Sequence, residues 1–399
     1  MVKLVSVKNN NKKKGYKMKK IINIILASIL TISLTAFANA GELTVSGSAQ
    51  ATYTITSSDS TTGKQDKTPG LGMSNELAFG ATGEFGNGLT WKYEMELDPA
   101  SGTSGVAIND DTRLELGTPF GTIGIYNSEG DLNTHLSNSV AAYAAGHDIG
   151  STGSYQGGTG MNSYNNIQYH TPADLLPFGT SVKLAWSNGD SAQSADANDA
   201  GTNTGNDINS YQVTTKPIDG LTVGASYLEK SDTGTTTVQK YETGGAYAKY
   251  SVGNFSFGVG RHYVAPNEAG VMVEAATRAT TPITTASANT KPYDQAGNAG
   301  TTLTTAKYFE NNAVSVAFAV NENLTLSYDK LKSTAEKRAL VVATRADIDI
   351  STDLEIDTIQ AAYNIGGAVV AISMKDIENN GYAQGADLKE TTFSLKMAF

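Results

Sequence analysis

The sequence predicts an all-β chain, a transmembrane antiparallel up-and-down β-barrel of about sixteen strands. Three observations carry that expectation. Apolar and polar residues alternate along most of the chain, most sharply where Leu89, Trp91, Tyr93, Met95 and Leu97 share one parity and Thr90, Lys92, Glu94 and Glu96 the other. Every second connection is a tight turn, and the connections between them are long polar loops. The chain ends on a strand with Phe393, Leu395, Met397 and Phe399 on one face and Thr392, Ser394, Lys396 and Ala398 on the other.

Successive side chains of a strand point to opposite faces, so a period of two means one greasy face and one wet face. Alternating charges such as Lys92, Glu94 and Glu96 cannot enter a dry core without partners. A water-filled lumen accommodates them. In order, strands are expected over 43–55, near 75–85 after a polar loop to Met73, and over 89–97, 112–117 and 122–126. A Gly/Ser/Asn-rich stretch from Asn127 to Ser163 precedes strands over 164–170, 180–187, 209–216 and 221–228. Strands then flank Gly253-Asn254, a loop of about forty residues follows Val264, and further strands flank Asn321-Glu322-Asn323 and Gly366-Gly367 before the last strand. A β-sandwich would have shorter strands and less regular loop lengths.

The N-terminus indicates the compartment. Lys12, Lys13, Lys14, Lys17, Lys19 and Lys20 precede an apolar run from Ile21 to Leu34 and then Ala38-Asn39-Ala40, the layout of a secretory signal cut after Ala40. Met18 is a natural start, which makes residues 1–17 an upstream extension. Residues 41–399 are then one barrel domain. Eight of the 29 Lys and Arg lie in residues 1–40, which hold no acids, so the remainder carries 21 basic against 39 acidic residues, a net charge of −18. That balance disfavours nucleic acid as a partner. An exported chain with no Cys is not a disulfide scaffold and has no thiolate metal site. A mean hydropathy of −0.25 does not exclude the membrane, because lipid-facing and lumen-facing residues alternate in a barrel.

Enzyme chemistry finds little support. Glu94 and Glu96 could bring two carboxylates together for glycoside hydrolysis, but solvated lumen charges explain them more simply. His135, His147, His170 and His262 are scattered without metal-ligand spacing, and no Gly-x-Ser-x-Gly elbow occurs. Asp196, Asn198, Asp199 and Asp207 supply oxygens for Ca²⁺, although such loops are more often merely hydrated. No cofactor is implied. Tyr53, Tyr126, Phe120, Phe178, Tyr211, Tyr227, Tyr250 and Tyr363 suit aromatic girdles at the membrane interfaces.

These residues resemble a general porin of Gram-negative bacteria. The resemblance lies in Phe85-Gly86-Asn87-Gly88-Leu89 with Glu96, in Phe120-Gly121-Thr122-Ile123, in Asn165-Asn166-Ile167-Gln168-Tyr169 with Pro172, and in the terminal Phe399. It implies short periplasmic turns, long external loops, a homotrimer embedded in outer-membrane lipid, and a third external loop folded into each pore. It also implies that the barrel-assembly machinery reads the last strand through Phe393, Leu395, Met397 and Phe399. Where the family commonly carries basic residues, this chain has Glu76, Asn127, Asn162 and Gln168, while Arg113 keeps one basic position.

The expected function is a passive channel for small hydrophilic solutes and ions, modestly cation-preferring. Its pore-lining and constriction residues are Glu76, Lys92, Glu94, Glu96, Arg113, Lys183 and Lys249 from strands and Glu129, Asp131 and Asp148 from the third loop. The alternatives are an adhesin or receptor barrel whose long loops bind a partner, and an outer-membrane hydrolase.

Overall fold

The computed structural model describes residues 39–60, 63–97, 111–146, 155–189, 207–231, 237–266, 268–269, 302–341 and 346–399. The strands are β1 (Asn39–Ser60), β2 (Gly63–Gly86), β3 (Leu89–Leu97), β4 (Thr112–Thr118), β5 (Gly121–Asn127), β6 (Asn166–His170), β7 (Ser181–Ser187), β8 (Ile208–Thr215), β9 (Leu221–Lys230), β10 (Thr237–Gln239), β11 (Glu242–Val252), β12 (Phe255–Ala265), β13 (Glu268–Ala269), β14 (Thr302–Ala319), β15 (Leu324–Val341), β16 (Ala346–Asn364), β17 (Ala368–Glu378) and β18 (Ala386–Ala398). Sixteen of them close one antiparallel barrel in chain order, and β18 pairs with β1 to seal it; β10 and β13 form a separate two-stranded sheet. Closure leaves no unpaired sheet edge.

Register settles the faces, because directly opposed residues of an antiparallel pair share a face. Tyr53 lies opposite Phe393 and Leu71, Met95 opposite Phe79, and Val316 opposite Phe257 and Tyr328. These are the outward, apolar positions predicted from parity. The opposed pairs Ser48 with Glu76, Glu94 with Arg113, and Thr52 with Ser394 face inward.

One boundary differs from expectation. The segment to Met73 is not a polar loop: β1 runs on to Ser60 and β2 starts at Gly63. After the long connection expected from Val264, the chain rejoins the barrel at Thr302, and β14 continues for 18 residues. A tilted strand needs only about 9–11 residues to cross hydrocarbon, so these strands outlast the bilayer and both their faces can be polar. In β14 to β18 the polarity inverts along the strand. Outward Lys330 binds Glu355 at 2.8 Å and Asp357 at 3.1 Å, and outward Lys332 binds Asp353 at 2.7 Å. At the same level Phe309, Leu331, Leu354, Ile356, Ile377 and Leu388 turn inward and form a buried core with Tyr382. Alternation fixes which residues share a face, and height relative to the bilayer fixes which face is wet.

Candidate functional site: the lumen and its folded loop

The connection between β5 and β6 enters the barrel instead of standing above it. Its outgoing limb follows the inner wall. Thr134 N donates to Ser226 Oγ at 3.1 Å, Val140 N to Ser315 Oγ at 2.9 Å, Ala142 N to Ser327 Oγ at 2.8 Å, and Tyr143 N to Gln360 Oε1 at 3.1 Å. Tyr143 Oη shares a 2.5 Å hydrogen bond with Ser394 Oγ, so the limb reaches from β5 to β18. On β12 the loop rides directly over backbone: a Cβ at Gly258 would clash with the Asn138 carbonyl oxygen. The returning limb is held by Tyr382 Oη, which accepts from Gln156 N at 3.0 Å, and by Tyr241 Oη, which accepts from Thr159 N. Apolar contact adds to these bonds, since Leu132 and Met161 of the loop pack on Ala185, Ile208 and Leu228 of the wall.

The base of the loop is stapled by two amides of β6. Asn166 Nδ2 lies 3.1 Å from the Glu129 carbonyl on the outgoing limb, and 3.3 and 2.9 Å from the carbonyls of Met161 and Tyr164 on the returning one. Gln168 Nε2 donates to Gly130 O at 2.5 Å and to Asn166 Oδ1 at 2.8 Å. Both side chains are almost fully buried, where an unmade bond is expensive.

This staple sets Glu129 against the wall. Arg113 donates from Nη1 to Glu129 at 2.6 Å and from Nη2 to Glu94 at 2.8 Å, and its Nε lies 3.8 Å from Glu115. Lys92 Nζ completes the group 2.7 Å from Glu94. Three carboxylates thus surround two cations, a formal excess of one negative charge. Burial raises the Glu129 carboxyl above its usual range, more than Arg113 lowers it, and Glu94 and Glu115 push it the same way as burial.

The remaining sequence-predicted residues are placed as follows. Glu76 and Glu96 face inward on β2 and β3, and Glu76 accepts from Ser48 Oγ at 3.3 Å. Lys183 and Lys249 face inward on β7 and β11 and are not part of the Arg113 ion-pair group, with Lys249 Nζ 5.8 Å from the Tyr247 ring centre. Asp131 does not confront the wall cations: its Oδ1 accepts from Asn133 N at 2.9 Å and Met161 N at 3.2 Å, so it holds the two limbs together. Asp148 lies outside the described residues, as do Asp196, Asn198, Asp199 and His147. Tyr126 corrects the girdle expectation. It faces inward, almost fully buried, and donates to Glu115 Oε1 at 2.8 Å.

Sequence parity alone did not single out Glu115, Tyr126, Asn166, or the small hydroxyls Ser226, Ser315, Ser327 and Ser394 that receive the loop. Their inward parity is the only local signal they carry. Along β6 to β18 the inward Gln168, Ser210, Thr243, Ser315, Thr358, Gln360 and Ser394 are covered. On β1 to β3 the inward Thr44, Ser46, Ser74, Glu76 and Thr82 stay exposed. The uncovered lumen therefore lies between the loop and the β1–β4 wall.

Several solved structures share this architecture. An anion-selective porin from Comamonas acidovorans matches with 13% identity, 90% of this chain and 100% of that chain covered, and a TM-score of 0.59. OmpF of Salmonella typhi, solved in complex with daunomycin, matches with 15% identity, 90% and 98% coverage and a TM-score of 0.56. OmpT, an outer membrane protein of Vibrio cholerae solved in trimer form, matches with 13% identity, 90% and 100% coverage and a TM-score of 0.54. No curated protein matches the chain by sequence. The profile of the Gram-negative porin family matches residues 26–308, most of the chain, and together with the closed sixteen-stranded barrel it identifies the chain as a member of that family, an outer-membrane channel.

Proposed function

We propose that the channel conducts small hydrophilic solutes and ions passively, through the crescent between the β5–β6 loop and the β1–β4 wall, with a modest preference for cations. The observation that carries this reading is the contrast in cover: most inward side chains from β12 to β18 are buried, whereas those on β1 to β3 are exposed or half-buried. Glu76, Glu94, Glu96, Glu115 and Glu129 stand along that open side against Lys92 and Arg113. In a narrow pore with low-dielectric walls such an excess concentrates the opposite ion.

The working unit is a homotrimer, a reading supported by the trimeric Vibrio cholerae OmpT. Residues 1–40 serve as the export signal and are removed. Phe393, Leu395, Met397 and Phe399 on the last strand are read by the barrel-assembly machinery. On this reading no reaction and no cofactor are involved, and Glu94, one of the two carboxylates weighed for acid–base work, is paired with Arg113 and Lys92.

Planar-bilayer recording tests the proposal. Large stepwise conductance arriving in triplets, without an energy source, is the expected result. A barrel that inserts but stays silent would point instead to an adhesin or receptor whose loops bind a partner.

A further inference from the structure

One arc of the periplasmic rim is built differently from the rest. The turns after β2, β11 and β14 have the tips Asn87-Gly88, Gly253-Asn254 and Asn321-Glu322-Asn323, small or polar residues, and the turn after β16 is Ile365-Gly366-Gly367, a single apolar side chain, 57% exposed, beside two glycines. The three consecutive connections between β4 and β9 instead repeat proline, a large apolar residue and glycine: Pro119-Phe120-Gly121, Pro177-Phe178-Gly179 and Pro217-Ile218-Asp219-Gly220. Phe120, Phe178 and Ile218, with Leu175 beside them, are between 60% and 81% exposed.

These side chains are held in place. Phe178 sits in the left-handed region at φ 60°, costly for a bulky residue and sustained only where the surroundings impose it. Lys216 N donates to its carbonyl at 2.9 Å, tying the second turn to the third, and Thr180 Oγ1 bonds Thr215 Oγ1 at 2.9 Å. The first turn leans outward. Tyr169, which shares the lipid-facing parity of Ile167, donates its hydroxyl to Phe120 O at 2.6 Å, and a Cβ on Gly121 would lie 2.8 Å from its ring. The third turn leans the same way, for a Cβ on Gly220 would lie 3.4 Å from the ring of outward Tyr250.

From this we infer that Phe120, Leu175, Phe178 and Ile218 form a lipid-binding foot that inserts into the inner leaflet of the outer membrane below β4–β9, while the tips of the turns after β2, β11 and β14 stand in water. Three points favour lipid as the occupant. The patch continues the outward apolar belt of Leu114, Ile125, Leu184 and Val213. Two of its turns fold over outward tyrosines. Proline and the backbone bonds prepay the ordering cost of presenting the side chains. The resulting anchorage differs from an ordinary girdle in being carried by turns.

The absence of Cys makes the test direct. Single spin labels at Phe120→Cys, Leu175→Cys, Phe178→Cys and Ile218→Cys are compared with labels at Val213→Cys on the belt and Glu322→Cys on a polar turn. The full-length processed chain is reconstituted in phosphatidylethanolamine–phosphatidylglycerol vesicles, and collision with oxygen and with a water-soluble nickel chelate is read by electron paramagnetic resonance. The expected result is oxygen collision exceeding nickel collision at all four foot sites, as at Val213, with the reverse at Glu322. Nickel accessibility at the foot equal to that at Glu322 would overturn the inference and leave the patch to a soluble periplasmic partner. Because the labelled barrels need not conduct selectively for this measurement, its outcome is independent of the proposed ion preference.

Discussion

Arg113 Nη1 and Glu129 Oε1 lie 2.6 Å apart, a bond between strand β4 and a loop residue sixteen positions later that joins the barrel wall to the segment folded across the lumen. Arg113 also reaches Glu94 and Glu115, so this one guanidinium organises the charge on the open side of the pore.

Selectivity tests that arrangement first. Glu129→Gln removes one carboxylate from the group, and the reversal potential in a KCl gradient is expected to move toward zero or past it. The preference weakens at high salt, where the Debye length falls to about 3 Å at 1 M. An anion-selective wild type refutes the sign, and an unchanged potential in the variant refutes the placement.

The pH dependence follows from the direction of the Glu129 shift. Its carboxyl is raised by burial, so the folded protein binds this proton more tightly than the unfolded chain does. A folded pKa above the unfolded one contributes stability that is fully present below the unfolded pKa and is lost as pH rises through the folded pKa. On acidification Glu129 takes up its proton before an exposed glutamate does, and cation preference falls ahead of the general carboxylate titration. Reversal potentials recorded from neutral to acidic pH should show this early step in the wild type and lack it in Glu129→Gln.

Gln168→Ala tests the staple. It leaves the Gly130 carbonyl and Asn166 Oδ1 without their amide partner in a buried setting, at a cost of about 1–3 kcal/mol for a lost buried bond. The loop base loosens, and single-channel records are expected to show more open-state noise and substates than the wild type. A quiet channel of unchanged conductance would assign loop placement to the wall contacts farther along.

Face assignment is tested by a neighbouring pair. Met95 lies opposite outward Phe79, whereas Glu94 lies inward beside Arg113. Met95→Arg is expected to cost about 2–4 kcal/mol if its level is near the midplane, measured by denaturant unfolding in lipid vesicles. Glu94→Gln removes two ion pairs, to Lys92 and Arg113, in contact with water and should cost far less. Equal losses would mean the two faces are misassigned.

The seam of the barrel gives the last test. Phe399 N donates to Gly47 O at 3.0 Å and Gly47 N to Phe399 O at 2.8 Å, the final rung between the two ends of the sheet. A Cβ on Gly47 would lie 2.6 Å from the Glu76 carbonyl and 2.9 Å from the Phe399 ring, so Gly47→Val should lower the unfolding midpoint. Deleting Phe399 should leave export intact but reduce the yield of folded barrel in the outer membrane. A normal yield of heat-resistant oligomer from the shortened chain would remove Phe399 from any role in assembly.

What the sequence alone determined is the barrel and its two faces. Alternation is a local property with a period of two, so Leu89 to Leu97 names its own lipid face, and turns such as Gly86-Asn87-Gly88 mark strand ends without reference to the rest of the chain. What only the tertiary structure decided is which inward residues meet water. Ser315 and Ser46 share the inward parity, yet one receives the backbone of the folded loop and the other stays exposed. Tyr126 looks like a girdle residue until its strand is seen to turn it toward Glu115, and nothing in the sequence shows that the exposed Asp131 joins the two limbs of the loop through two backbone amides. These outcomes depend on contacts between residues far apart in sequence, such as Tyr143 with Ser394 or Gln156 with Tyr382. A periodicity two residues long carries no information about them.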